Sequence, residues 1–390
     1  MNEKTLMLVL VGGRSTPAVL AVLALKPNIV GFITSNDQPD QETEIKKVLE
    51  QIPDLELSIS ESVPAFDKHP TYEACSRIVQ AVGAKQVLLN AASATKAMAI
   101  GMYDYGRKHD FPVYYVDTMG NRVIDLVSSE EHPLPGLTVA DFLSCFGRQL
   151  HEKRSEEVWD ENAPTAQTLV DMGSPALSVL SYVRQYGGGK GKRTKTIRRS
   201  YEPSSDELEV WAFLQRQNLL SGFEMSPGGF RFTIPNNDAF TFLSGGWLES
   251  YVGAIAKGLR NQNNDPFFDD VKIGFEIPDR TGAKKEVDVG MMYGGQFIHV
   301  SCKSGSENPW KTQYLDELRT VSSLVGGNFC SRIFVTAQPE PAKNSGGCRG
   351  YQHFLKQAKD RKIVVVTGDQ LLEMSQVLQK EATRPTFPRV

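Results

Sequence analysis

The sequence predicts two α/β units in series, a Rossmann-like unit followed by a smaller-stranded mixed α/β unit. Three observations carry this. Residues 1–148 alternate short apolar runs with helix-period stretches. Residues 149–205 change to helix, glycine and basic residues. Residues 206–390 give a helix, three β-alternating runs, then helix and strand again. A chain of 390 residues with 40% hydrophobic and 23% charged residues holds enough apolar sequence for two cores.

In the first unit, "TLMLVLV" at 5–11 is a continuous apolar run, as in a strand buried on both faces. A Gly-Gly turn leads into "TPAVLAVLAL", whose Pro17 suits a first helical turn. Strand patterns follow at 29–34, 86–90 and 112–117, with helix patterns in "ETEIKKVLEQI", "YEACSRIVQAV" and "ATKAMAIGMYDYG" between them. Such alternation gives a parallel sheet covered by helices, with ligands at the carboxyl ends of its strands. Those ends are Gly12-Gly13-Arg14-Ser15-Thr16, Ser35-Asn36-Asp37 and Asn90-Ala91-Ala92-Ser93-Ala94-Thr95-Lys96. The first and third open into helices, whose free N–H groups suit a phosphate, and Arg14 and Lys96 add positive charge. Ordinary turn and N-cap chemistry explains the same residues equally well. The three-glycine dinucleotide fingerprint and the Walker lysine loop are both missing.

The middle segment contains "TAQTLVDMGSPALSVLSYVRQYG", helical with breaks at Gly173 and Pro175. "GGGKGKRTKTIRRS" follows with Lys190, Lys192, Arg193, Lys195, Arg198 and Arg199. It reads as a solvated linker or as a surface for a phosphate backbone.

In the second unit, "DELEVWAFLQRQ" and "GGWLESYVGAIAKGL" are helix patterns, and "VKIGFEI", "KEVDVGMMY" and "QFIHVSCK" are strand patterns. Residues two apart on a strand share a face, so Glu286 and Asp288 point together, as do His299, Ser301 and Lys303. Acids and a lysine among core residues require partners. One reading is a cross-strand ion pair. The other is a hydrolase centre, in which Glu249, Asp288 and the main-chain carbonyl of Cys302 offer hard oxygen ligands to Mg²⁺ or Mn²⁺. Lys303, and Glu286 beside it, complete the candidate catalytic set.

The net charge of −3 gives no global sign of a nucleic-acid partner. Cys75, Cys145, Cys302, Cys330 and Cys348 lack metal or disulfide spacing, and no run reaches the length of a membrane helix. A cytoplasmic protein without membrane attachment is expected. His69, His109, His132, His151 and His353 fit no ligand spacing.

"GGWLE", "EVDV" and "HVSCK", in this order and with these gaps, resemble the core of PD-(D/E)xK nucleases, and more narrowly its form in the CARF-domain CRISPR ancillary nucleases of the DUF1887 group. "LVGGRSTP" and "LNAASATKAMA" resemble the two ligand loops of CARF domains, the second matching an Asn-x-x-Gly-Gly-Thr-Lys pattern. The resemblance implies a CARF domain followed by a restriction-endonuclease-like domain. It implies a homodimer that binds cyclic oligoadenylate from type III CRISPR complexes, cyclic tetra-adenylate above all, and then cuts DNA, RNA or both with a divalent metal. It places Glu249, Asp288 and Lys303 on the helix glutamate, metal aspartate and catalytic lysine. Gly13, Arg14, Ser15, Thr16, Asn36, Asn90, Ser93, Thr95 and Lys96 fall to the cyclic ligand. Two departures stand out. Ser301 replaces the usual glutamate, leaving Glu286 or Glu317 to supply the lost contact, and Ala91-Ala92-Ser93-Ala94 replaces the loop glycines. A sensor with an inactive core, or a nucleotide or sugar enzyme using the Rossmann-like unit, are the competing functions.

Overall fold

The computed structural model describes residues 4–383 except 14, 15, 38, 119, 189, 190, 198–200, 227, 280, 306, 307 and 326–329. Arg14, Ser15, Lys190, Arg198 and Arg199 therefore lie outside the described residues.

The first sheet has seven strands: β1 (Thr5–Val11), β2 (Ile29–Ser35), β3 (Glu56–Val63), β4 (Gln86–Asn90), β5 (Val113–Asp117), β6 (Arg122–Asp125) and β7 (Glu131–Pro133). Their order is β3-β2-β1-β4-β5-β6-β7. The first five are parallel and the last two turn back antiparallel. The order reverses between β1 and β4, so the loops after these strands flank the crevice where open α/β sheets bind ligands. Burial explains the apolar run of β1. Met7, Val9 and Val11 face α1 (Thr16–Leu25), α2 (Pro39–Leu49) and α5 (Val139–Ser144). Leu6, Leu8 and Leu10 face α3 (Lys68–Val82) and α4 (Lys96–His109). Each fully buried side chain of this size contributes roughly 1.5–3 kcal/mol.

The six-stranded sheet has the order β16-β15-β14-β13-β12-β8. Its members are β8 (His151–Glu152), β12 (Asp270–Pro278), β13 (Lys284–Tyr293), β14 (Gln296–Lys303), β15 (Ser331–Thr336) and β16 (Ile363–Val366). The last three run parallel; the rest pair antiparallel. A three-stranded sheet, β10-β11-β9, stands beside it, built from β9 (Arg193–Ile197), β10 (Ser221–Ser226) and β11 (Gly229–Ile234).

The middle segment is more ordered than a solvated linker. It supplies β8 to the second sheet and holds α6 (Glu156–Asp171), α7 (Ser174–Tyr186) and β9. The break expected at Gly173 is there: Gly173 takes φ 60° between α6 and α7, and Pro175 sits in the first turn of α7. Arg193 is buried with its guanidinium 4.7 Å from the Phe240 ring centre. The two large sheets share an apolar core, in which Phe142 of α5 stacks on Phe297 of β14 at 5.3 Å. Across the same seam Val139 N donates to Asp270 Oδ2 (2.8 Å) and Arg148 Nη1 to the Pro278 carbonyl (3.0 Å).

The remaining helices are α8 (Ser205–Arg216), α9 (Asn237–Thr241), α10 (Trp247–Gly258), α11 (Thr312–Ser323), α12 (Cys348–Asp360) and α13 (Met374–Thr383). A π-helical turn, Phe242–Gly246, joins α9 to α10. Such turns often reposition functional residues.

Candidate functional site

The second sheet brings acids and lysine together where two strands part. The β13–β14 ladder runs from Tyr293↔Gln296 to Val289↔Val300. Beyond it the Cys302 N–H donates to Asp288 Oδ2 (2.7 Å), and Ser301 Oγ donates to the same oxygen at 3.2 Å. Lys303 Nζ lies 3.8 Å from that oxygen and 5.8 Å from the Tyr314 ring centre. On the other side, β13 meets β12 at Gly274, which has φ 59°. A Cβ at Gly274 would lie 2.3 Å from the Trp159 ring, so only glycine lets α6 close over this kink.

Glu249 projects from the first turn of α10, held in place by buried Trp247, Leu248, Tyr251 and Val252. Burial, then the negative charges of Asp288 and Glu286, push its carboxyl up to about 8. Burial also raises Asp288, against the opposing pull of Lys303 and the Cys302 N–H. Burial works against the Lys303 ammonium, but Asp288, Cys302, Glu317 and Glu249 together hold its pKa above the ordinary lysine value. Two carboxyl groups thus share one largely desolvated space, with Lys303 beside Asp288 and Lys153 acting from further off. A divalent ion would relieve that repulsion, and hard carboxylate oxygens suit Mg²⁺ or Mn²⁺. The Cys302 thiol is pushed well up by burial and by the same acids, so its main-chain carbonyl is the donor that fits a hard ion. Among the described residues, no three His, Cys, Asp or Glu side chains gather as a metal cluster.

Glu286 shares the face of Asp288 but is exposed, and it pairs with Lys153 at 2.7 Å. Lys153 also lies 3.5 Å from Glu276, its cross-strand neighbour. Glu286 therefore acts on Glu249 as a nearby charge and is already engaged by the connector. Glu317 is exposed and accepts from Gln313 Nε2 (2.9 Å). His299 is a core residue: its Nδ1 meets Ser322 Oγ at 3.0 Å, and burial, then Arg332 and Lys303, lower it to about 3.

Two features went unread in the sequence. Ser304 Oγ donates to the Ser244 carbonyl (3.0 Å), tying the end of β14 to the π-helical turn before Glu249. The Arg184 guanidinium from α7 lies on Gly305, where a Cβ would sit 1.9 Å from Nη1. Burial lowers the pKa of Arg184, and no carboxylate pairs with it among the described residues. Neither carries a local sequence signal, because each depends on a contact across the fold.

On the first sheet, the loops after β1 and β4 touch backbone to backbone. A Cβ at Gly12 would lie 2.2 Å from the Ser93 carbonyl oxygen. Gly13 is exposed with open space around it. Thr16 is buried at the start of α1. Thr95 caps α4, accepting from Met98 N (3.3 Å) and donating to the Ala65 carbonyl. Lys96 is exposed in the first turn of α4. Ser93 is 6% exposed, and its hydroxyl has no hydrogen-bond partner among the described residues. Asn36 is exposed, with Oδ1 accepting from Ser62 Oγ (2.6 Å). Asn90 is fully buried, its Nδ2 donating to the Pro17 carbonyl (3.3 Å) and its Oδ1 accepting from Ala92 N (3.1 Å). Both polar atoms of the Asn90 side chain are thus bonded to the backbone of the two loops.

The same architecture, a Rossmann-like sheet with a loop crevice joined to a mixed sheet, recurs in solved structures. Solved structures make the comparison particular. Can2 from Sulfobacillus thermosulfidooxidans, in complex with cyclic tetra-adenylate, superposes with a TM-score of 0.70 at 20% identity, covering 97% of this chain and 100% of that one. Protein VC1899 from Vibrio cholerae gives 0.76 at 18%, covering 97% and 98%. A type III CRISPR defence DNA nuclease activated by cyclic oligoadenylate gives 0.52 at 17%, and this chain spans 48% of it. No family model and no curated protein matches the sequence. No helix among the described residues is long and apolar enough to cross a membrane.

Proposed function

We propose that this chain is a nuclease of type III CRISPR defence, switched on by cyclic tetra-adenylate and dependent on Mg²⁺ or Mn²⁺. The observation that carries the reading is the desolvated Glu249–Asp288 pair facing Lys303 at the β13–β14 fork. Residues 1–148 act as the CARF sensor, 149–205 as the connector and 206–390 as the nuclease, and two copies form the working dimer. A dimer axis presents each loop twice, matching the twofold character of the cyclic ligand. Gly13, Arg14, Ser15, Thr16, Ser93, Thr95 and Lys96 cradle its phosphates at the helix N-termini.

In the nuclease, Glu249, Asp288 and the Cys302 carbonyl would hold a divalent ion, which would supply a water of lowered pKa and positive charge beside the phosphate. Lys303, kept protonated by its acidic neighbours, steadies the developing negative charge and orients the attacking water. Asp288 in turn is fixed by the Cys302 N–H and Ser301. Arg184 supplies a positive donor set beside Gly305 for a phosphate of the DNA or RNA strand. Ligand binding acts on the nuclease only through a preference for one dimer arrangement. The apolar seam and the Lys153–Glu286 pair join the halves along that route.

Ser301 favours a second reading, a sensor with an inactive core, because serine replaces an acidic oxygen donor. One experiment separates the two. Plasmid and single-stranded substrates are incubated with Mn²⁺, with and without cyclic tetra-adenylate. Ligand-dependent cleavage supports the nuclease, and binding without cleavage supports the sensor. Equal cleavage with and without ligand contradicts the coupling.

A further inference from the structure

Phe66 is 87% exposed, the most exposed large apolar side chain among the described residues. It belongs to the loop after β3, at the same carboxyl edge of the first sheet as the Gly12 and Ser93 loops. With Asn36, Asp37, Pro64, Ala65 and Asp67 it lines a cavity of about 420 Å³. The cavity is tied to the ligand loops through the Ala65 carbonyl, which accepts the hydroxyl of Thr95 at the N-terminus of α4. Its chemistry differs from theirs. The Ser93 and Lys96 loops carry neutral and positive groups, whereas this cavity has an aromatic ring, an amide and two acids.

We infer that this cavity is a purine pocket in which Phe66 stacks on one adenine of the cyclic ligand. The inference rests on the cyclic-oligoadenylate reading above and deepens it. Asp37 and Asp67 disfavour a phosphate at this point, so a neutral base is the part of a nucleotide that fits. Adenine offers an amino donor and ring-nitrogen acceptors on its edges. The Asp37 carboxylate accepts from such an amino group. Asn36 keeps its oxygen on Ser62, which leaves its amide nitrogen to donate to a ring nitrogen. Asp67 is already engaged as the N-cap of α3, accepting from His69 N at 3.0 Å. A flat aromatic face opposite a base is the usual means of holding an unstacked nucleotide.

The test measures cyclic tetra-adenylate binding by calorimetry to wild type, Phe66→Ala and Phe66→Trp, with the oligomeric mass followed in parallel. The side chain is exposed, so neither substitution disturbs the core. The expected result is binding roughly ten- to a hundredfold weaker for Phe66→Ala, near-wild-type binding for Phe66→Trp, and quenching of the new tryptophan by the bound base. Unchanged affinity in Phe66→Ala, with wild type binding well, overturns the pocket and leaves the function standing. A change in dimer mass with unchanged affinity of the dimer overturns it in favour of a subunit contact. Absence of binding to wild type removes both the pocket and the ligand reading beneath it.

Discussion

The two loop clusters of this molecule are built on opposite electrostatic plans. At the first sheet, the crevice between β1 and β4 is shaped by Gly12, Asn90, Ser93 and Thr95, all neutral; Asn90 and Thr95 bond to nearby backbone, and the Ser93 hydroxyl has no partner among the described residues. Among the described residues, charge enters at its rim, at Lys96 and the helix N-termini. At the second sheet, buried Asp288 and partly buried Glu249 and Lys303 gather in one small space. The first site is preorganised and relaxed, suited to receive an anion. The second holds like charges together and is suited to receive a cation. Similar α/β geometry thus carries a mostly neutral loop crevice in one half and a charged cluster in the other.

The sharpest way to break the comparison is Asp288→Asn. Cleavage should fall on the order of a hundredfold or more, with cyclic tetra-adenylate affinity unchanged. A variant that loses both would show that the two faces are not separate. Gly12→Ala should act in the reverse sense. Its Cβ meets the Ser93 carbonyl at 2.2 Å, so ligand affinity should drop by about tenfold or more, while maximal cleavage at saturating ligand is retained. Arg184→Ala should raise the KM for DNA or RNA by about tenfold and change kcat less, read by steady-state kinetics. An equal fall in kcat alone would remove Arg184 from substrate binding.

A smaller effect concerns pH. The Glu249 carboxyl is raised from 4.5 to about 8 in the folded chain, so the folded state holds a proton that the unfolded state releases. Its contribution to stability is full below pH 4.5 and is lost as pH rises through about 8. In chelator, thermal melts of wild type should therefore decline over that window more steeply than those of Glu249→Gln. Asp288, raised in the same direction, keeps part of the slope in the variant. Parallel slopes in the two proteins would count against the shared desolvation of the pair.

Much of this was legible in the sequence where physics is local. β1, β4 and α1 occupy the expected residues because apolar continuity and Pro17 fix them. Asp288 and Lys303 were readable as neighbours because buried charge on a strand needs a partner, and they lie 3.8 Å apart. β3 escaped because ELSISESV is half-exposed at a sheet edge and carries little apolar pattern. β8 escaped because two residues make a strand only through β12. The basic run gave β9, since pairing with β11 overrode its charge. Glu286 was rightly placed on the face of Asp288, but its Lys153 partner lies 133 residues away. Arg184 on Gly305 is likewise a product of the assembled fold.

The most direct test of the cation-receiving centre is a calorimetric titration with Mn²⁺ near neutral pH, repeated in buffers of different ionisation enthalpy. The account predicts binding with release of a proton, because Glu249 must give up its hydrogen to coordinate. It predicts loss of that release in Glu249→Gln and loss of binding in Asp288→Asn. Mn²⁺ binding that is indifferent to both substitutions, or no binding by the wild-type protein, would contradict it.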